Sequence, residues 1–170
     1  MPWSGTWSVP DTAAVIDTSP LILLSRISRL DLFLTLRRRL VVPIPVLEEI
    51  RAKGDQAPTV RAVEQANFLE EVPALPIPEP IRRWDLGRGE SSVLAWAREH
   101  PGTLALLDDM EARRCAESQA IPLLGTAGLV LLAKRRGFIP AASPVLRELV
   151  AGGMYLSEQT VAELLRRAGE

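Results

Sequence analysis

Five short β-favouring runs, separated by segments with helical character, constrain this fold more than any other feature. The predicted strands are Ala14–Ile16, Leu40–Val42, Phe68–Val72, Thr103–Leu107 and Pro122–Leu124. They lack the strict alternation of apolar and polar residues that marks a strand with one face in water, so we expect both faces to be buried. A sheet buried in this way is mostly parallel and is covered by helices on each face. The sequence therefore predicts an α/β fold with three layers, α/β/α, around a mostly parallel sheet of about five strands.

The segments between the runs are predicted to be helical. These helices are Ser19–Arg26, Leu30–Arg38, Pro45–Lys53, Pro58–Ala66, Gly89–Glu99, Met110–Ser118 and Ala127–Arg136. Pro20 and Pro45 fall in first turns, where proline is favoured, and Gly102 and Gly137 fall where helices end. Residues 73–86 contain four prolines and are expected to form a surface connection.

A chain of 170 residues, of which 47% are hydrophobic, suits one main domain. We expect a loose extension at residues 1–13, the main domain at residues 14–140 and a helical tail at residues 141–170. The tail contains two amphipathic segments separated by Gly152 and Gly153, and Ser157 is the expected N-cap of the second. Its narrow apolar stripe predicts packing on the main domain or on a partner; the stripe consists of Leu156, Val161, Leu164 and Leu165.

Scarce residues exclude several classes of site. The chain has one Cys, Cys115, and one His, His100, which excludes a disulfide framework, a zinc site with several thiolates and chemistry that needs several imidazoles. A bound metal must then have mostly oxygen ligands, as Mg²⁺ or Mn²⁺ does. Residues 1–13 lack the features of a signal peptide, and no apolar run is long enough to span a membrane. We therefore expect a cytoplasmic protein without a membrane association.

Carboxylates follow two of the predicted strands directly. Asp17 ends the first strand, and Asp108 and Asp109 follow the strand Thr103–Leu107. Parallel α/β sheets bind ligands at the carboxyl ends of their strands. Two more acids, Glu49 and Glu90, belong to helices that begin near that edge. Such a cluster is unfavourable unless a cation compensates the repulsion, so the pattern predicts a divalent metal site.

Each of these acids also has an ordinary structural interpretation. Asp17, Asp108 or Asp109 can cap a helix, Glu90 is favoured in a first turn by the helix dipole, and Glu49 can lie on a solvated face. Gly125 and Thr126 either cap a helix or bring a hydroxyl and an N–H to the acidic edge. The order of the acids along alternating strands and helices favours a common site.

These residues form part of a family resemblance. The runs VIDTSPLILLSRISRLDLF, VVPIPVLEEI, LGRGESSVLAWA, ALLDDMEARRCAE and LLGTAGLVLLAKRRGFIP resemble the PIN domain, and more narrowly the PIN-like subgroup related to VapC toxins of toxin–antitoxin pairs. The resemblance extends from about Val15 to Arg147. It implies an endoribonuclease that depends on Mg²⁺ or Mn²⁺, and it makes residues 14–140 a PIN-like domain.

Site residues follow from the resemblance position by position. It implies four catalytic acids, which are Asp17, Glu49, Glu90 and Asp109. The implied metal ligands are Asp17, Glu90 and Asp109, and Asp108 is close enough to compete for the last position. Leu107 replaces the Thr of the family's Thr-x-Asp pattern. The expected substrate-binding residues are Thr18, Ser19, Thr126, Arg113 and Arg114.

RNA binding requires basic side chains around the acids. Of the 20 basic residues 18 are Arg, which favours bidentate contacts with phosphate. The remaining candidates for RNA contact are Arg26, Arg37, Arg38, Arg39, Lys134, Arg135 and Arg136. The net charge of −1 does not oppose RNA binding, because setting the four catalytic acids aside leaves 17 acidic against 20 basic residues.

The resemblance also implies partners, namely a small cognate antitoxin protein and a second copy in a homodimer. Two other interpretations remain open at this stage. One is a PIN-fold RNA-binding or regulatory module with little nuclease activity. The other is a Mg²⁺-dependent phosphotransfer enzyme of the haloacid-dehalogenase type, although that class requires an Asp where Ser19 stands.

Overall fold

The computed structural model describes residues 12–54 and 57–170. Five parallel strands form one sheet in the order β3-β2-β1-β4-β5. The strands are β1 (Ala13–Ile16), β2 (Arg39–Pro43), β3 (Leu69–Val72), β4 (Leu104–Leu106) and β5 (Leu123–Leu124). The predicted extension at residues 1–13 lies outside the described residues except for Thr12 and Ala13, and Ala13 already belongs to β1.

Nine helices within the described ranges surround this sheet. They are α1 (Thr18–Arg26), α2 (Ile44–Ala52), α3 (Ala57–Gln65), α4 (Glu79–Arg82), α5 (Arg88–Glu99), α6 (Met110–Ser118), α7 (Thr126–Arg135), α8 (Ser143–Ala151) and α9 (Glu158–Ala168). Helix α1 contacts α2, α3 and α7, and α5 contacts α4 and α6, while α2 also contacts α5. Because parallel crossovers are right-handed, the two groups cover opposite faces of the sheet. The predicted three-layer fold is confirmed.

The strand order positions the candidate site. From β1 the chain moves outward through β2 to β3 and then returns to the other side of β1 as β4. The direction of winding therefore changes between β1 and β4, and this switch point opens a crevice at the carboxyl ends of the two strands. The Asp17 N–H donates to the Leu106 carbonyl at 3.2 Å and joins the strands at that point.

Three local predictions were wrong. The segment Leu30–Leu36 is a 3₁₀ helix, and it ends at Arg37, whose φ of 52° is left-handed. Strand β3 is not buried on both faces, because it lies at the edge of the sheet, and its Glu70 pairs with Arg39 of β2. The connection at residues 73–86 is not only a surface segment, because α4 buries Ile81 in the core.

The two tail helices pack against α7. Ser157 caps α9 as predicted, since its hydroxyl accepts the Thr160 N–H at 3.0 Å. The Glu170 carboxylate closes the tail by accepting the N–H groups of Ala142 and Ser143 and pairing with Lys134. These donors lower the pKa of Glu170 to about 2. Among the described residues, no helix is long and apolar enough to cross a membrane.

Ile81 tests whether the proline-rich connection is anchored to the core. The side chain is 0% exposed, so we expect Ile81→Ala to lower the free energy of unfolding by about 2–5 kcal/mol. Urea denaturation measures this change. Leu34→Ala serves as control because Leu34 is 43% exposed, and an equal loss in both variants would contradict the anchoring.

Candidate active site

Asp17 lies at the centre of the switch point. It follows β1 directly and occupies the N-cap position of α1, but its side chain makes no capping hydrogen bond. The residue is only 2% exposed, and its Oδ1 accepts no hydrogen bond from the described residues. A buried carboxylate oxygen without a partner is unfavourable and indicates that a ligand or a proton belongs there.

The pKa of Asp17 reflects this position. The pKa is raised from 3.8 to about 8, chiefly by burial; the Thr18 amide beside the carboxylate acts in the opposite direction, and the negative charges of Glu90, Glu49 and Asp108 contribute to the rise. The carboxylates of the other segments therefore lie close enough to repel Asp17.

Glu49 is held by two other segments. Its Oε2 accepts the Thr18 hydroxyl at 2.9 Å, and its Oε1 accepts the Gly89 N–H at 2.7 Å. These bonds tie α2 to the first turns of α1 and α5. The neighbouring Glu48 is exposed and pairs instead with Arg88 at 2.7 Å, so Glu49 is the acid of this pair that lies at the site.

Gly89 allows this close approach. A Cβ at this position would lie 2.6 Å from Glu49 Oε2 and 3.2 Å from the Thr18 hydroxyl oxygen. Any side chain there must displace the carboxylate. Sequence reasoning missed this role, although a glycine immediately before a candidate acid was a signal for it.

Glu90 is half-buried in the first turn of α5. Its Oε2 accepts the N–H of Gly87, the N-cap residue of α5, at 2.8 Å. Burial raises the pKa of Glu90, and the charges of Asp109 and Glu49 add to this, whereas the Gly87 amide and Lys53 lower it. Glu90 is therefore close enough to Glu49 of α2 and to Asp109, the N-cap of α6, for both charges to act on it. Lys53 at this rim was not expected from the sequence.

The two acids after β4 differ in their surroundings. Both oxygens of Asp108 are occupied, because Oδ1 accepts the Thr126 N–H at 2.8 Å and Oδ2 accepts the Thr126 hydroxyl at 2.6 Å. Asp109 is exposed and caps α6 by accepting the Ala112 N–H at 2.9 Å through Oδ1. Its Oδ2 accepts no hydrogen bond from the described part of the chain. Asp109 is therefore the acid of this pair with a free oxygen.

The predicted substrate-binding residues are not equally free. The hydroxyls of Thr18 and Thr126 already donate hydrogen bonds to Glu49 and Asp108, respectively. Ser19 is exposed beside them, and Arg113 is partly buried with Nη1 donating to the Leu107 carbonyl at 3.1 Å. Arg114 is exposed and pairs with Glu111. Ser19 and Arg113 are therefore the predicted substrate-binding residues near the acidic edge that still have side-chain donors available for a ligand.

Most of the other predicted RNA-binding arginines lie at the opposite edge of the sheet. Arg37, Arg38 and Arg39 stand at the amino end of β2, and Lys134–Arg136 stand at the carboxyl end of α7, whose first residue Thr126 is at the site. The tertiary fold separates these charges from the acids. These basic side chains therefore lie away from the acidic edge.

The candidate ligands are of the chemical type that a hard divalent cation prefers, but their arrangement in the structure does not form a complete site. All candidate ligands are carboxylate oxygens, and Asp17 Oδ1 lacks a partner. However, no three Asp, Glu, His or Cys side chains of residues 12–54 and 57–170 form a group ready to hold one ion. Asp17, Glu90 and Asp109 are the acids with oxygens left to offer.

The comparison with known families agrees with this arrangement. A family model described as a PIN domain matches residues 13–170. The chain belongs to the PIN-domain family. PIN domains are generally nucleases and typically use divalent metal ions, so the acidic edge of this PIN domain is the expected place for such chemistry. No curated protein matches the chain significantly.

Removal of the Asp17 charge should change the pH dependence of stability. Because the folded-state pKa of about 8 lies above the ordinary value of 3.8, the stabilisation from this group is complete below about pH 4 and is lost as the pH rises through 8. In EDTA, we expect the free energy of unfolding to fall by up to about 1.4 kcal/mol per pH unit over this range. Asp17→Asn should reduce this slope, as measured by urea denaturation at several pH values.

The control for this experiment is Glu158→Gln, since Glu158 is exposed in the first turn of α9 and distant from the acids in sequence. Its slope should match that of the parent. If Asp17→Asn also kept the parent slope, the raised pKa of Asp17 would be refuted.

Gly89→Ala should loosen the site. The new Cβ displaces Glu49 and breaks its bonds to Thr18 and to the Gly89 amide, so we expect a loss of about 1–3 kcal/mol in the free energy of unfolding. Gly54→Ala is the matched control, because a Cβ there meets nothing within 4 Å. Equal stability of the two variants by thermal unfolding would contradict the assigned contact.

Proposed function

We propose that this PIN domain is an endoribonuclease that depends on Mg²⁺ or Mn²⁺, and that it is the VapC-type toxin of a toxin–antitoxin pair. The observation that carries the proposal is the buried, unpartnered carboxylate of Asp17 at the switch point, with the charges of Glu90, Glu49 and Asp108 close enough to raise its pKa. An uncompensated cluster of this kind is unfavourable without a cation.

The acids divide into two roles in this proposal. Asp17, Glu90 and Asp109 would hold the ion, because each has an oxygen that accepts no hydrogen bond within the described ranges. Glu49 and Asp108 have both oxygens engaged and orient the segments that carry the ligands. When bound, the ion supplies Lewis acidity and positive charge for hydrolysis of a phosphodiester.

The remaining residues at this edge orient the substrate. The Ser19 hydroxyl is exposed beside Asp17, and the guanidinium of Arg113 is held by the Leu107 carbonyl, so both can donate to phosphate oxygens. No covalent nucleophile is needed. His100 follows the far end of α5, where it stacks on Trp96, and Cys115 is buried inside α6.

The biological setting follows from the VapC-like motifs. A toxin of this type is silenced by a small antitoxin protein, acts on cytoplasmic RNA and commonly forms a homodimer. We propose the same antitoxin, homodimer and cytoplasmic location for this protein, with the sequence resemblance as support.

Two specific observations favour a second function. No three candidate ligands of the described residues converge, and Leu107 replaces the Thr of the family pattern. A PIN-fold RNA-binding or regulatory module with little nuclease activity would tolerate both features.

Cleavage of a mixed RNA pool tests the nuclease proposal. We expect the full chain to cleave RNA with Mg²⁺ or Mn²⁺ and not with EDTA. Asp17→Asn and Glu90→Gln should each reduce the rate by about 100-fold or more, because they remove charge that holds the ion. Glu48→Gln is the matched control, since Glu48 adjoins Glu49 in sequence but is exposed and has its carboxylate paired with Arg88.

Other outcomes of this experiment are equally informative. Equal cleavage by all variants would refute the site, and cleavage in EDTA would refute the metal dependence. RNA binding without cleavage would favour the second function. Growth arrest on expression, relieved by Asp17→Asn, is the expected result for a toxin.

A further inference from the structure

A basic cavity lies at the amino edge of the sheet, opposite the acids. Its volume is about 480 Å³, and its described lining consists of Thr12, Leu36, Arg37, Arg38 and Arg136. Thr12 directly precedes β1, whereas Asp17 directly follows that strand. At about 3.3 Å per residue along a strand, this amino-edge cavity stands roughly 16 Å from the acids. It is therefore a surface separate from the candidate active site.

The fold brings the arginines of the amino-edge cavity together. Arg37 ends the 3₁₀ helix, Arg38 precedes β2, and Arg136 follows α7. Arg136 Nη1 donates to the carbonyl of Thr35, which lies 101 residues earlier in the chain. The end of α7 is thereby tied to the 3₁₀ helix, and the three guanidiniums line one cavity.

Hydrogen bonds to main-chain carbonyls hold two of these arginines. Arg38 Nη1 donates to the Gly102 carbonyl at 3.0 Å, which links the amino ends of β2 and β4 across β1. Arg136 is held by the Thr35 carbonyl. Each of these bonds uses one of the five N–H groups of a guanidinium. Both arginines are thus positioned and keep further donors for a ligand.

The backbone of Arg37 is strained. Its φ of 52° and ψ of 43° are left-handed, a conformation that favours glycine. The side chain is exposed, so burial does not account for an arginine at this position. Strained residues of this kind are concentrated at functional sites, where the surrounding structure holds them. Here the strained turn places a guanidinium at the cavity.

The charges of the amino-edge cavity are positive. No Asp or Glu is among its described lining residues. Asp17 can relieve its burial by taking up a proton, but a guanidinium does not lose its proton in a protein. The mutual repulsion of the three arginines is therefore relieved by a bound anion.

The lining also indicates the size and type of this anion. Leu36 is the one apolar side chain among the described lining residues, and it is only 5% exposed. The cavity thus offers little apolar surface to a peptide. One phosphate group carries about −2 at neutral pH, less than the charge of three guanidiniums, so two or more linked phosphates match the cavity better.

We propose that the amino-edge cavity binds an oligophosphate, either a free one or the phosphate chain of a nucleoside polyphosphate. Arg37, Arg38 and Arg136 donate to oxygens of successive phosphates, since the guanidinium fork matches phosphate geometry. The bound anion joins the 3₁₀ helix, β2 and α7 and so stabilises the folded chain. The proposal uses none of the acids and does not rest on the proposed nuclease function.

Isothermal titration calorimetry with inorganic triphosphate tests the site. The full chain is used at low salt without divalent cations. Arg37→Gln and Arg136→Gln should each weaken binding about tenfold or more, because each removes charge-assisted hydrogen bonds. Arg37→Gln is the decisive variant, since its side chain is exposed and its thermal unfolding without ligand should equal that of the parent. Triphosphate should raise the Tm of the parent and raise that of Arg37→Gln less.

Arg135→Gln is the matched control. Arg135 adjoins Arg136 and is exposed at the same end of α7, but it is not among the described lining residues. Its affinity for triphosphate should stay within about twofold of the parent, since it makes no direct contact with the anion and acts only through screened charge. Asp17→Asn should also bind triphosphate like the parent, because the acids lie at the other edge.

ATP and adenosine distinguish the two sources of the phosphate chain. Equal affinity for ATP and triphosphate would support a site for the phosphate chain alone, and tighter binding of ATP would support a nucleotide site. Adenosine should not bind in either case.

Several results would overturn the proposal. These are absence of triphosphate binding at low salt, equal affinity of Arg37→Gln and its parent, an equal loss in Arg135→Gln, and binding of an oligouridylate or a Glu-rich peptide but not of triphosphate. Triphosphate binding in a protein that never cleaves RNA would refute only the nuclease, whereas cleavage without triphosphate binding would refute only the amino-edge site.

Discussion

The burial of the Asp17 carboxylate is the constraint on which the rest of this structure depends. The residue follows the central strand, and its N–H continues the bonding of β1 to β4 past the end of the strand. It cannot move toward water without disturbing the centre of the sheet. The fold therefore sets the free-energy cost of ionising the Asp17 carboxylate, and only protonation or a bound cation relieves this cost. This one position connects the topology of the sheet to the chemistry of the site.

The acids around Asp17 are held by short hydrogen bonds that also join secondary-structure elements. Glu49 links α2 to the starts of α1 and α5, and Asp108 links the end of β4 to the start of α7. Helix N-termini supply most of these donors, because their first N–H groups have no partners within the helix. The same bonds that close the helix ends thus hold the carboxylates near one another despite their repulsion. The site and the scaffold share their stabilising contacts.

Charge is distributed unevenly over the molecule in a way that the net value of −1 conceals. Acids gather at the carboxyl edge of the sheet, one group of arginines lies at the amino edge, and Lys53 and Arg113 lie beside the acids. Of these cations, only Lys53 and Arg113 are placed to act on a ligand at the acidic edge. Whether a basic side chain lies near the acids therefore depends on which end of a strand or helix it occupies, and not on the number of basic residues in the chain.

The sequence alone determined the α/β class, the parallel sheet, the helical tail with its Ser157 cap and the position of the acids at one edge, because these features follow from local patterns of burial and capping. It also limited any metal to oxygen ligands through the scarcity of His and Cys. Only the tertiary structure decided that Ile81 is buried, that β3 is an exposed edge and that Gly89 must be small, since each depends on contacts between distant segments. The contrast between Asp108 and Asp109 has the same origin. The two neighbours are equivalent in a local pattern, but one meets Thr126 from a segment 18 residues away and the other caps its own helix.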